Sequence, residues 1–437
     1  MVPTFQTVSF RRHARTAAAT LLISLLAHTT ASAAAGNGAY PIDDPLAATV
    51  VGTPRAYRAS LPENLPRETR TLAPLVERPV PSPLVYAVPL EYGLIAQDEP
   101  APLVFILAGT GAGAKSTKSN LIARALYAEG YHVVTLPSPT SVGFMLGAAT
   151  HPVPGRMNND VADVYRFMQA VRDDLPERVR ITGFALTGYS LGGLQAAFVD
   201  QRDRQEQVFG FERVLLINPA VDLYASVRRM DRLFETGLEQ GIAGLPAFLE
   251  QALGRFRQIY AGEDPIEFNE DFLYQAYLAT ETREQDIAAI IGLAFRLWLA
   301  NMNFAADLLS NSGVIVPVAR EPGTFTSLDT YLVRSFGMSF ADYIDELLLP
   351  YYNKDGRQLT RDALIREGRL ARIQPYLKRA EHMGVITSAD EIILDPGEVD
   401  FLRRTFGERA TIFPHGGHMG NLAHRDVIGA IREFFRP

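Results

Sequence analysis

An α/β architecture, a mostly parallel sheet covered on both faces by helices, is predicted by three observations. Strand and helix patterns alternate from about residue 80 to 220. The strand segments are apolar throughout, as strands buried on both faces must be. The alternation then gives way to helical periodicity over 221–379, and strand patterns return near the end of the chain.

Taken in order, residues 34–79 are rich in Pro, Ala and Thr and have weak periodicity, which predicts an extension draped on the main body and a first strand near 69–77. Strands are expected over 83–97 (PLVYAVPLEYGLIAQ), 102–108 (PLVFILA), 131–136 (YHVVTL), 179–187 (VRITGFALT) and 213–220 (RVLLINPA). Helices are expected over 116–129 and 158–175, and again from 194. Within 221–379 apolar residues recur at three- and four-residue spacings, as in Phe248, Leu249, Leu253 and Phe256, or Tyr343, Ile344, Leu347 and Leu348. Strands resume at 384–387 (GVIT) and 409–413 (RATIF), and a helix over 424–435 closes the chain. The simplest organisation is a leader (1–33), an extension (34–79), a sheet domain in two pieces (80–222 and 380–437), and a large helical insertion (223–379) after the sixth strand.

The totals narrow the chemistry. A chain of 437 residues can bury a large core without a metal or disulfide staple. Its net charge of −7, with scattered Lys and Arg, gives no footprint for a phosphate backbone, so nucleic acid is not an expected partner. The absence of cysteine excludes a thiol nucleophile, Cys-ligated zinc, disulfides and a lipoprotein cysteine. No metal-ligand spacing is present, so no metal or other cofactor is expected.

Arg11, Arg12, His13 and Arg15 precede an apolar run over 17–27, and Ala31-Ser32-Ala33 then offers a small-residue cleavage site. That order is a secretory signal, with cleavage expected after Ala33 and a periplasmic or secreted mature protein. A later apolar stretch, 287–309, is interrupted by Arg296, Asn301, Asn303 and Asp307, which fits a helix of a soluble protein.

Gly188-Tyr189-Ser190-Leu191-Gly192 lies between the strand at 179–187 and a helical segment. A sharp strand–turn–helix of this kind presents a serine as nucleophile, and its flanking positions must be tiny. A serine hydroxyl needs a base, and the base needs an orienting carboxylate. Downstream, Asp390 and Glu391 lie just past a strand end, the edge where open α/β sheets place ligands. His415 and His418 follow the last strand in a Gly-rich loop.

The order Ser, acid, His and the elbow resemble the α/β-hydrolase superfamily, and more closely its esterase- and lipase-like members with a helical cap. The resemblance implies an α/β-hydrolase fold in which 223–379 is the cap. It also implies Ser190 as nucleophile, His418 as base ahead of His415, and Asp390 as acid, with Glu391, Asp395 and Asp222 as alternatives. His424 reads as a surface residue at a helix start. The oxyanion hole would use the N–H of Leu191 and one from the loop after Ala108, with Thr110 chosen over Gly111. That loop, 109–116 (GTGAGAKS), departs from the His-Gly opening common in such relatives. It also falls short of a phosphate-binding loop, because Ala114 replaces the second glycine, and no ribose-binding acid follows to support a dinucleotide site.

The function so implied is an exported serine esterase acting through an acyl-enzyme on a small-molecule or lipid ester with an apolar part. Peripheral membrane association is compatible with such a substrate, and the oligomeric state is not legible. Phe295, Trp298, Leu299, Phe304 and Leu308 are candidates to line an apolar tunnel. Two alternatives remain: an inactive binding protein of the envelope on the same fold, and a thioesterase or acyltransferase using the same triad.

Overall fold

Strand order positions everything else in this chain. In the computed structural model, which describes residues 39–237, 274, 278, 283–318, 320, 322–323 and 326–436, one eight-stranded sheet runs β1-β2-β4-β3-β5-β6-β7-β8. The strands are β1 (Arg67–Leu72), β2 (Leu90–Ile95), β3 (Ala101–Leu107), β4 (His132–Leu136), β5 (Ile181–Tyr189), β6 (Arg213–Ile217), β7 (Met383–Ser388) and β8 (Ala410–Phe413). Only β2 is antiparallel to its neighbours β1 and β4; from β4 to β8 every pairing is parallel. The leader 1–33 and part of the insertion lie outside the described residues.

The apolar strand runs fill both faces by simple alternation. Leu103, Phe105 and Leu107 of β3 and Val214 and Leu216 of β6 point to one core. Val104, Ile106 and Ala108, with Leu215 and Ile217, point to the other. The second core is covered by α2 (Thr117–Ala128) and the C-terminal helix α8 (Arg425–Phe435). The first is covered by α3 (Met157–Asp174), α4 (Leu191–Glu206) and α7 (Pro396–Phe406).

Two expected strands are trimmed by proline, which cannot donate to a ladder. The first stops at Leu72, ahead of Pro74, and 83–97 divides into a 3-10 turn at Ser82–Ala87 and the strand Leu90–Ile95 after Pro89.

Between β6 and β7 the described chain is helical. α5 (Leu223–Gly237) packs along α6 (Glu284–Ser310), the apolar stretch noted in the sequence. This helix is long and apolar enough to cross a membrane, yet 72% of its apolar window is buried within the protein. Two of its interrupting polar residues, Arg296 and Asp307, are satisfied internally, whereas the buried Asn303 amide has no hydrogen-bond partner among the described residues. Arg296 donates to Asp231 at 2.7 Å and lies over the Phe234 ring, while Asp307 accepts from the N–H groups of Val314 and Val316. Asp231 and Arg296 are both buried, so removing one strands the other's charge. Arg296→Leu is expected to lower stability by about 3–5 kcal/mol in denaturant unfolding; a loss below about 1 kcal/mol would mean that the pair is solvated.

The extension is more than draped. Its helix α1 (Pro45–Val51), capped by Asp44, packs Leu46, Ala47, Ala48 and Val51 into a third cluster with Ile287, Ala288 and Ile291 of α6.

Candidate active site

Residues from five segments converge at the C-terminal ends of β3, β5, β6, β7 and β8. Ser190 directly follows β5 and begins α4 with φ 56° and ψ −122°, a strained backbone for a residue with a side chain. Its flanks explain why glycine is required. A Cβ on Gly188 would lie 2.2 Å from the Gly192 carbonyl oxygen, and one on Gly192 would lie 2.2 Å from that of Leu107. The Ser190 N–H is tied to the Ile217 carbonyl at 2.9 Å, so the neighbouring strand holds the turn.

Ser190 Oγ lies 3.0 Å from His418 Nε2, and His418 Nδ1 lies 2.9 Å from Glu391 Oε1. The Glu391 side chain is fully buried, and its Oε2 accepts from Asn218 Nδ2 at 2.7 Å. An ionised carboxylate can only accept, so Nδ1 carries the imidazole proton and Nε2 faces the serine hydroxyl as an acceptor. Serine, histidine and a buried carboxylate thus form one hydrogen-bonded chain.

The carboxylate that meets His418 is Glu391, where the sequence favoured Asp390. Asp390 does not reach the His418 ring. Its two oxygens accept from the N–H groups of Gly417 (2.9 Å) and Gly416 (3.2 Å), which fastens the histidine loop. Burial pushes its carboxyl pKa up, and those two N–H groups pull it back. The other carboxylates are also accounted for. Asp222 pairs with Arg369 and caps Ala225, while Asp395 caps α7 and pairs with Arg229 at 2.7 Å. His415 is half-exposed and sits 3.7 Å from Asp390, away from Ser190's chain of contacts. His424 is buried, not at the surface. It caps α8 by accepting from Asp426 and lies between the rings of Tyr40 and Tyr57.

Two participants were not anticipated. Asn218, just past β6 with φ 42°, steadies the carboxylate; its place at a strand end facing β7 was the available signal. Thr49 of α1 accepts from the His418 N–H at 2.9 Å across 369 residues of sequence, and nothing local in the sequence marks it.

Ser190 and His418 open into a cavity of about 460 Å³, in the range of small-molecule sites. Thr110 and Leu191 line it beside the serine. Gly111 has its N–H committed to Thr140 Oγ1 at 2.9 Å, which leaves Thr110 as the loop's available donor. The Leu191 N–H, at the first position of α4, has no intrahelical acceptor. The far wall comes from the insertion, through Val227, Met230, Ile290, Phe295 and Trp298. Trp298 lies so close to Gly111 that any Cβ there, at φ 68°, would overlap its indole. Of the five expected tunnel residues, Phe295 and Trp298 line the cavity. Leu299 and Phe304 are core residues, and Leu308 packs against that core. Among the described residues no group of His, Asp and Glu is arranged to hold a metal.

No family model matches the sequence, and comparison with curated proteins found no match. Among solved structures the chain is similar to an esterase from Pyrococcus furiosus at 10% identity and a TM-score of 0.40, covering 85% of this chain and 91% of that one. It is similar to a thermostable esterase from Pseudomonas putida at 14% identity and a TM-score of 0.40, covering 90% of each. A bacterial membrane phospholipase A is similar at 13% identity and a TM-score of 0.39, covering 84% and 85%. The strand order β1-β2-β4-β3-β5-β6-β7-β8 with β2 reversed, the elbow serine after β5, and helices on both faces make this an α/β-hydrolase fold.

Proposed function

We propose that the protein is a serine hydrolase that cleaves a carboxylic ester with an apolar acyl or alcohol part. The observation that carries this reading is the continuous Ser190–His418–Glu391 hydrogen-bonded chain, with the serine held at a positive φ and lining a mostly apolar cavity. His418 Nε2 takes the Ser190 proton as Oγ attacks the carbonyl carbon, and Glu391 stabilises the imidazolium. The N–H groups of Leu191 and Thr110 receive the developing oxyanion. Collapse of the tetrahedral adduct breaks the ester bond, and the His418 proton goes to the departing alkoxide. Water, deprotonated by the same histidine, then releases the acid and restores Ser190.

The helices α5 and α6 act as a cap that roofs the nucleophile and sets the apolar preference. A fluorophosphonate probe is expected to label Ser190, with the adduct located by peptide mass spectrometry. Absence of labelling in folded protein would sink the reading.

Export belongs to the same proposal. The basic and apolar start with its Ala31-Ser32-Ala33 site supports a mature enzyme outside the cytoplasm. N-terminal sequencing of protein from its native host is expected to begin near Ala34. An intact Met1 on membrane-bound protein would instead identify an anchor.

A further inference from the structure

The cavity is lined mostly by apolar side chains, and among its described lining residues one carries an ammonium. Lys118, the second residue of α2, lines it together with Ser190 and His418. Among the described residues no carboxylate lines that cavity. The nearby Lys115 is paired with Glu91 at 2.9 Å, whereas the Lys118 ammonium forms no ion pair or hydrogen bond among the described residues. The Lys118 side chain is exposed to solvent on a cavity that is itself partly open. Neighbouring protein atoms desolvate the ammonium and lower its pKa, opposed by attraction to the Glu391 carboxylate.

Glu391 cannot serve as its partner, because both oxygens are engaged by His418 and Asn218. An unpaired ammonium beside a mostly apolar cavity gains a charge-assisted contact if a ligand supplies the counter-charge. The adjoining backbone favours the same sign. Thr117 and Lys118 occupy the first two positions of a helix whose cap, Ser116, takes the Ser119 N–H on its hydroxyl and the Asn120 N–H on its carbonyl. Their own N–H groups add positive potential on the cavity side.

We infer that Lys118 is a specificity-determining residue that holds an anionic group, a carboxylate or a phosphate, carried by the ester substrate away from its scissile bond. The substrate is then amphiphilic: an apolar segment lies along Met230, Phe295 and Trp298, and its charged end meets Lys118. This inference rests on the ester-hydrolase reading and adds a charge requirement to it.

The test compares p-nitrophenyl hexanoate with two esters of similar reach that end in a charge. One is mono-p-nitrophenyl adipate, and the other is the p-nitrophenyl ester of an ω-phosphonohexanoic acid. For at least one charged ester, kcat/KM is expected to exceed that of the neutral ester by about tenfold or more, the range of a charge-assisted hydrogen bond. Which one wins distinguishes carboxylate from phosphate. Lys118→Met is expected to bring that ratio to about one, and Lys118→Arg to keep most of it. A wild-type ratio near one, or a preference that survives in Lys118→Met, overturns the inference while leaving the hydrolase reading intact. Failure to hydrolyse any of the three esters, with Ser190 unlabelled by fluorophosphonate, overturns both.

Discussion

Ser190→Ala lowers kcat by roughly 10⁴- to 10⁶-fold and leaves the fold in place. Two features set the size of that effect. In the proposed mechanism Ser190 Oγ is the nucleophile, and it lies 3.0 Å from His418 Nε2. The turn that holds it is built by Gly188, Gly192 and the N–H bond to Ile217, none of which the substitution disturbs. Alanine keeps the Cβ and therefore the strain of a positive φ, so the thermal midpoint should move little. Ser190→Gly relieves that strain and should be the more stable of the two, by about 1 kcal/mol or more. Retention of more than about one per cent of wild-type kcat in Ser190→Ala would remove Ser190 as nucleophile, because residual turnover in triad mutants comes only from binding and oxyanion contacts.

Much of the frame was legible in the sequence because it rests on local rules. The runs at 102–108 and 213–220 are apolar at every position that must face one core or the other, and β3 and β6 fill both. The glycines around Ser190 are dictated by backbone clashes within a few residues of the serine. The acid was not legible because it is a matter of direction, not of type. Asp390 and Glu391 leave the same turn, and only the three-dimensional placement of Gly416, Gly417 and Asn218 decides which faces the imidazole. Thr49 escaped for a different reason, since its hydrogen bond to His418 spans almost the whole chain. The division of the insertion's large apolar residues had the same origin. Helical spacing puts Phe295, Trp298, Leu299 and Phe304 on broad faces, and the packing of α5 against α6 decides which of them meet the cavity.

Glu391→Gln reduces kcat by about 10³- to 10⁴-fold with little change in KM, the signature of losing an imidazole-orienting carboxylate. The geometry explains why an isosteric amide fails here. Glu391 accepts from His418 Nδ1 on one oxygen and from Asn218 Nδ2 on the other. Glutamine has one carbonyl oxygen and one NH₂ group, so it can satisfy only one of those donors. If its oxygen turns to Asn218, its NH₂ faces Nδ1 and stabilises the tautomer protonated on Nε2, which cannot take the serine proton. If its oxygen turns to His418, two buried NH₂ groups oppose each other and the imidazolium loses its counter-charge. Either arrangement removes general base catalysis. Asp390→Asn meets milder demands, because its partners are the N–H groups of Gly416 and Gly417 and the imidazole ring is not among them. It should loosen the histidine loop, costing about 1 kcal/mol in stability for one lost backbone bond and at most about tenfold in kcat. Measuring kcat, KM and the unfolding midpoint for both variants separates the roles. A crippled Asp390→Asn beside a nearly wild-type Glu391→Gln would return the acid to Asp390 and require the loop to rearrange when substrate binds.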